Sequence, residues 1–173
     1  MTTGKKVFLC IYIFLILFWG GAIYYLSSMN SSNSNSSSTG IIGVFVEDSV
    51  KITNKAGLSN SKPSESKIDK VSRLLNAPLR KVMHATVYFV LSIMIILFIN
   101  VMQKKKRYFM ALLISVLICF IFACTDEFHQ TFVGGRTGQF KDVLIDTSGA
   151  IVGGLIYGTY FVSYKLGTKT KKY

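Results

Sequence analysis

The sequence has few cysteines, and their positions argue against disulfide bonds. Cys10, Cys119 and Cys124 lie in or at the ends of apolar stretches, and no two of them form a Cys-x-x-Cys pair. An extracellular disulfide framework would need paired cysteines in the exposed loops. We therefore interpret all three as small apolar residues within helices.

Acidic residues are also scarce. Eight Asp and Glu residues stand against twenty Lys and Arg residues, which gives a formal net charge of +12. In a soluble protein this excess would suggest a nucleic-acid partner. Here the basic residues flank long apolar stretches, so a membrane explains their positions better. We predict no nucleic-acid partner.

What the sequence has in abundance is apolar residues. Half of the residues are hydrophobic, the mean hydropathy is +0.43, and four apolar stretches stand apart between polar segments. Each is close to the roughly 20 residues that a helix needs to cross a bilayer. Backbone polar groups in lipid must be satisfied within the segment, which predicts helices. We predict an all-α integral membrane protein, a bundle of four transmembrane helices.

A short amphipathic helix is predicted in the long loop after the first span. Ile68, Val71, Leu74 and Leu75 follow helical spacing, and Ser66 begins a capping box. This helix could lie on the membrane surface or pack as an ordinary solvent-exposed helix.

The predicted segments are an N-terminus at 1–6, a first span at 7–26, a Ser/Asn-rich flexible loop at 27–65, the interfacial helix at 66–77, a second span at 78–102, a turn at 103–107, a third span with its extension at 108–130, a loop at 131–141, a fourth span at 142–164 and a tail at 165–173.

The distribution of basic residues predicts the orientation. Ten of them fall in the N-terminus, the 103–107 turn and the tail, without any acidic residue, and ten fall on the other side. Cytoplasmic positive charge counts mainly in short segments close to the spans, and only the first ten are concentrated in that way. We predict a multi-pass protein of the cell membrane with both termini cytoplasmic and the 27–65 and 131–141 loops external.

The most polar sequence surrounds the second external loop. Asp126 and Gln130 share a face if the third helix continues past Cys124, and Glu127 and His129 lie beside them. Gly134 and Gly135 break the helix before Arg136, whose guanidinium could bind a carboxylate or a phosphate. Asp142 and Asp146 are again four apart, and a carboxylate as deep as Asp146 is a functional candidate by default.

The second helix supplies a matching face at its external end, formed by Lys81, His84 and Tyr88. We predict that both clusters converge, with Lys81 or His84 within side-chain reach of Asp126, Glu127 or Asp142. A ligand-binding or catalytic pocket and a structural ion-pair network are both compatible with this pattern. Several of these residues could bind a metal, but no HExxH-like spacing is present, so we predict neither a metal nor a cofactor. The predicted site contains Lys81, His84, Tyr88, Asp126, Glu127, His129, Gln130, Arg136, Asp142 and Asp146.

Residues 126–154 (DEFHQTFVGGRTGQFKDVLIDTSGAIVGG) resemble the signature of the VanZ-like membrane protein family, approximately D-E-x-x-Q-x-F-x-x-x-R followed by D-V-x-x-N-x-x-G-x-x-x-G. Residues 80–91 (RKVMHATVYFVL) also resemble that family's second helix. The chain departs from the signature at Gly134-Gly135, where proline-glycine is common, and at Asp146, where Asn is usual. The resemblance implies a role in resistance to teicoplanin-type glycopeptides, although many members of the family lie outside any resistance setting.

Three functions remain open on these residues. The first is a non-enzymatic protein that binds or shields an anionic or lipid-linked envelope component through Arg136, Lys81 and His84. The second is a membrane enzyme with Glu127 or Asp126 as general base and His84 or His129 as acid. The third is a small transporter or flippase that uses Asp146 and assembles as a homo-oligomer through the glycine face of the fourth helix. The expected partners are membrane lipids and a lipid-linked cell-wall precursor or glycopeptide.

Overall fold

The structure, a computed structural model, has four long helices in the part of the chain that it describes. The described residues are 3–29, 40, 43–45, 48–49, 51–52, 55, 65–103 and 107–170. Within them there is no β-strand. Most of the predicted 27–65 loop lies outside these ranges, so its flexibility stays a prediction. The helices are α1 (Thr3–Ser27), α2 (Glu65–Met102), α3 (Tyr108–Gln130) and α4 (Phe140–Thr170).

Three of these helices are long and apolar enough to cross a membrane. The apolar segments are Lys6–Ser27 in α1, Leu74–Met102 in α2 and Tyr108–Gln130 in α3. Large apolar side chains such as Leu17, Phe18 and Phe109 are about two-thirds exposed on the outer faces of α1 and α3. An apolar surface of this extent is suited to lipid rather than water. The chain is therefore a membrane protein, as predicted.

Helix α4 is not among the three, because glycines, tyrosines and charged residues dilute its apolar content. It nevertheless runs along the same length of the bundle. Lys81 of α2 contacts Asp142 near the start of α4, and Asn100 near the end of α2 contacts Tyr157 in the middle of α4. Helices α2 and α4 are thus parallel neighbours.

The remaining contacts give α3 and α1 their directions. Ser92 of α2 and Ser115 of α3 share a buried hydrogen bond of 2.9 Å, and Tyr108 donates a hydrogen bond to the Gly154 carbonyl of α4. These pairs make α3 antiparallel to α2 and α4. The Trp19 indole of α1 donates to the Val87 carbonyl at 3.0 Å, which holds α1 beside α2, and Tyr24 near the end of α1 contacts His129 near the end of α3. The starts of α2 and α4 therefore lie at the same end of the bundle as the ends of α1 and α3. We call this the site end.

Glycines on α4 allow its backbone to approach α2 closely. A Cβ atom at Gly149 would overlap the Ala85 carbonyl, and one at Gly153 would overlap the Phe89 carbonyl. Such contacts between small residues are the usual way that helices associate in membranes. The glycine face that we predicted as a contact with a second copy is therefore covered by α2 of the same chain.

Helix α2 differs from its predicted boundaries. The interfacial helix at 66–77 and the second span at 78–102 form one continuous helix, Glu65–Met102, with Pro78 inside it. A proline removes one backbone donor, which a helix near a membrane tolerates. At 1.5 Å per residue this helix is about 57 Å long, well beyond the roughly 30 Å of a hydrocarbon core. Its first turns, at the site end, precede the apolar segment Leu74–Met102.

Candidate functional site

The polar residues of α2, α3 and α4 meet in a pocket at the site end. Lys81 Nζ lies 2.6 Å from Asp142 Oδ1, and His84 Nδ1 lies 3.9 Å from Asp146 Oδ2. The predicted convergence of the two clusters is therefore present. The pocket is lined by Arg80, Lys81, His84, Glu127, Gln130, Asp142, Ile145 and Asp146.

The helical spacing explains why these side chains face one another. Lys81, His84 and Tyr88 lie on one face of α2, and α3 continues past Cys124 to Gln130, as the shared face of Asp126 and Gln130 requires. The close approach of α4 to α2 at Gly149 then brings the preceding turns of α4 against that face.

Glu127 fixes the loop between α3 and α4. Its Oε2 accepts the backbone N–H of Gln139 at 2.9 Å, and its Oε1 accepts from Gln130 Nε2 at 3.0 Å. Gly135 has a φ of 76°, a left-handed conformation that favours glycine. The predicted break before Arg136 is therefore a tight turn that folds the loop back onto the end of α3.

Arg136 points into the bundle from this loop. The residue is only 9% exposed, its Nη1 donates to Gln130 Oε1 at 3.4 Å, and its Nε has no hydrogen-bond partner within the described ranges. Burial lowers the pKa of the Arg136 guanidinium, and the like charge of Arg80 lowers it further, against the opposing effects of Asp126 and Glu127. No ion pair joins Arg136 to a carboxylate of the described chain. The site thus holds a buried cation without a direct counter-ion.

Deeper in the bundle, three polar groups are buried and incompletely bonded. Asp126 and Asp146 are each 1% exposed, and Tyr88 is completely buried. Asp126 Oδ1, Asp146 Oδ2 and the Tyr88 hydroxyl have no hydrogen-bond partner in the described part of the chain. Buried polar atoms of native proteins are nearly always bonded, so these three call for a water, an ion, a ligand or a shared proton.

His129 is separated from this pocket. Its Nδ1 lies 2.9 Å from the Tyr24 hydroxyl, its Nε2 lies 3.1 Å from Ser28 Oγ, and its ring stacks on Tyr24. Both partners belong to the end of α1 and the residues just after it. The histidine predicted as a site residue therefore ties α1 to α3.

Two polar residues of the site were not predicted from the sequence. Arg80 lines the pocket beside Lys81, and its place next to the predicted Lys81 was the available signal. Ser27, at the end of α1, is fully buried and lies beside Asp126, outside hydrogen-bonding geometry. The position of Ser27 depends on how α1 docks, which its own sequence does not indicate.

The pocket offers cations for an anionic group and carboxyl and imidazole groups for proton transfer. Glu127, Asp126 and His84, predicted as catalytic candidates, lie at or beneath it. Among the described residues, none of those that line the pocket is Ser, Thr or Cys. The described lining therefore offers no hydroxyl or thiol nucleophile.

Comparison with known proteins supports the resemblance noted from the sequence. The family model described as VanZ/LLP1 matches residues 10–162, a range that includes most of α1 and α4 and all of α2 and α3. No curated protein and no solved structure matches the chain.

Proposed function

The chain belongs to the VanZ/LLP1 family, and from that premise we propose that it binds the anionic headgroup of a lipid-linked cell-envelope component at the site end, beside Arg80 and Arg136. The observation that carries the proposal is the buried, unpaired guanidinium of Arg136. Guanidinium groups bind phosphate through two parallel hydrogen bonds, and a buried charge without a counter-ion favours binding of an anion.

The other charges near the pocket mouth support an anionic ligand. Arg80 lines the pocket and its charge repels that of Arg136, so an anion between them would relieve the repulsion. Lys81 is already neutralised by Asp142, and Glu127 is held by the Gln139 N–H. Of the basic residues described at or next to the pocket, Arg80 and Arg136 are therefore buried or pocket-lining cations without a carboxylate ion pair.

A headgroup ligand also requires the pocket to lie at the membrane surface. We propose four membrane crossings, with both termini cytoplasmic and the site end external. Helix α4 runs beside α2 from Lys81 to Asn100, which supports α4 as the fourth crossing. The first turns of α2 extend beyond the bilayer thickness at the same end, so the pocket lies at headgroup height.

The binding test uses purified protein in nanodiscs with a polyprenyl phosphate as probe and the uncharged polyprenol as its matched control. We expect the wild type to prefer the phosphate, and Arg136→Gln to weaken its binding by about tenfold or more, the effect of losing one charge-assisted contact. Lys141→Gln removes an exposed cation beside the site and should leave binding unchanged. Equal binding by wild type and Arg136→Gln, or equal binding of phosphate and polyprenol, would contradict the proposal.

The family resemblance extends the proposal to glycopeptide resistance. A protein that binds or shields a lipid-linked precursor at the outer face would protect it from teicoplanin. We expect a deletion strain to become more susceptible and wild type to restore resistance, whereas Arg136→Ala should restore it poorly. Unchanged susceptibility of the deletion strain would remove resistance from the proposed role.

One observation favours an enzyme as the second candidate. Glu127 and His84 line the same pocket as the cations, where a carboxyl and an imidazole could transfer protons to and from a bound headgroup. We would incubate the protein with extracted envelope lipids, with and without Mg²⁺ or Zn²⁺, and compare it with Glu127→Gln. A lipid profile that stays unchanged with the wild type would exclude this candidate.

A further inference from the structure

Beneath the pocket, one residue from each of three helices forms a cluster of metal-binding atoms. His84 of α2, Asp126 of α3 and Asp146 of α4 each contribute one atom, and these atoms all lie within 4.8 Å of one another. We propose that this cluster binds a divalent transition-metal ion, an assignment that goes beyond binding of a headgroup by the arginines.

The first argument is the unmet bonding of the carboxylates. Asp126 Oδ1 and Asp146 Oδ2 have no hydrogen-bond partner within the described chain, although both residues are 99% buried. Two carboxylates so close together repel one another, and burial increases the cost of their charge. An ion between them would neutralise both and satisfy both free oxygen atoms.

The second argument is that none of the described lysine and arginine side chains neutralises Asp126 or Asp146. Lys81 pairs with Asp142, and Arg136 donates to Gln130 through Nη1. Neither Asp126 nor Asp146 has an ion pair with a lysine or arginine in the ranges that the structure describes. The cluster is therefore short of positive charge although cations lie near it.

The ligand set indicates the class of ion. One imidazole nitrogen with two carboxylate oxygens suits Zn²⁺, Mn²⁺ or Fe²⁺ better than Ca²⁺ or Mg²⁺, which prefer oxygen ligands. With metal–ligand bonds of about 2.1 Å, the ligand atoms of a tetrahedral site lie roughly 3.4 Å apart. The three atoms here lie within 4.8 Å of one another, so the carboxylates would have to rotate towards the ion. Three protein ligands leave a coordination position open, and His84 and Asp146 both line the pocket. A bound ion would thus be accessible to a ligand in the pocket.

The test measures ion binding without any headgroup ligand, so that its outcome is independent of the proposed lipid function. Full-length protein in zwitterionic nanodiscs is stripped with a chelator and titrated with Mn²⁺ and with Zn²⁺. We expect one ion per chain. We also expect Asp146→Asn and His84→Gln to weaken binding by about 100-fold or more, since each removes a direct ligand.

The matched control is His129→Gln, which alters the other histidine at the site end, bonded to Tyr24 and Ser28. It should bind the ion like wild type. Pulsed electron paramagnetic resonance of the Mn²⁺-loaded wild type should detect one coupled imidazole nitrogen, a signal that needs no variant. Absence of stoichiometric ion binding, as expected if the carboxyls remain protonated, would overturn the proposal. Unchanged affinity in both ligand variants, or absence of a nitrogen signal, would also overturn it.

Discussion

At the scale of single residues, the site end combines paired and unpaired charges within a few ångströms. Lys81 and Asp142 form a direct, partly buried ion pair. Among the described residues, the Arg136 guanidinium donates to an amide oxygen but forms no ion pair, and Asp146 keeps a free oxygen. The paired charges of Lys81 and Asp142 are therefore structural, whereas the charges of Arg136 and Asp146 are available to a ligand. A charge already balanced within the protein contributes mainly to stability, and an unbalanced one favours binding of an opposite charge.

The Lys81–Asp142 pair should therefore contribute to stability. In a double-mutant cycle with Lys81→Met and Asp142→Asn we expect a coupling energy of about 1–2 kcal/mol, because the pair is partly shielded from water. Unfolding of the protein in SDS is the measurement. The exposed pair of Asp48 and Lys51, 3.4 Å apart, is the control and should show about 0–0.5 kcal/mol. Equal coupling in the two cycles would contradict a structural role for the Lys81–Asp142 pair.

At the scale of elements, the packing of α4 on α2 determines the geometry of the site. Asp142 and Asp146 lie one to two turns before Gly149, so the closeness of the two backbones at Gly149 controls how far both carboxylates are from Lys81 and His84. The glycines of α4 thus set the distances between the site residues of α2 and α4 without lining the pocket themselves.

Substitution of Gly149 should separate the two helices. Gly149→Ala places a Cβ against the Ala85 backbone, and we expect a loss of about 2 kcal/mol or more in the free energy of unfolding. Gly21→Ala on α1 is the control, because its Cβ would meet nothing within 4 Å. That change should be neutral or stabilising by up to about 1 kcal/mol, since alanine favours a helix. SDS unfolding followed by circular dichroism measures both. Equal stability of the two variants would mean that α4 packs differently in the membrane.

At the scale of the whole molecule, the character of α4 decides how many times the chain crosses the bilayer. Three helices have the composition of membrane spans, and α4 has the position of one without the same apolar content. Glycines and tyrosines lower the mean hydropathy of α4. Its glycines pack against α2 and α3 rather than against lipid. A helix inside a bundle needs fewer strongly apolar residues than one surrounded by lipid.

Cysteine labelling of intact cells tests the proposed topology. In a background without Cys10, Cys119 and Cys124, a membrane-impermeant maleimide should label Gly134→Cys on intact cells. Gln103→Cys and Thr170→Cys should react only after lysis, because the 103–107 turn and the end of α4 are expected in the cytoplasm. Labelling of both Gly134→Cys and Thr170→Cys on intact cells would exclude α4 as a crossing. Labelling of Gln103→Cys and Thr170→Cys but not of Gly134→Cys on intact cells would show the opposite orientation.

Much of the fold follows from local sequence signals. The apolar stretches and the spacing of Lys81, His84 and Tyr88 predict the helices and one polar face, because both depend on the 3.6-residue period. The join of the two predicted helices through Pro78 was not predicted, since a proline favours a helix boundary but does not require one. The contact of His129 with Tyr24 was not predictable either, because it joins residues 105 positions apart.

The sequence by itself determined that this is a helical membrane protein of the VanZ/LLP1 family, with its polar chemistry at the end of α3, the start of α4 and the middle of α2. Apolar length, helical period and a family signature are all properties of the linear chain. Only the tertiary structure decided which polar groups meet. It paired Lys81 with Asp142, left Arg136 without a carboxylate, and brought His84, Asp126 and Asp146 together from three helices. The physical reason is that these distances depend on helix rotation and on the close approach at Gly149, which packing between helices sets.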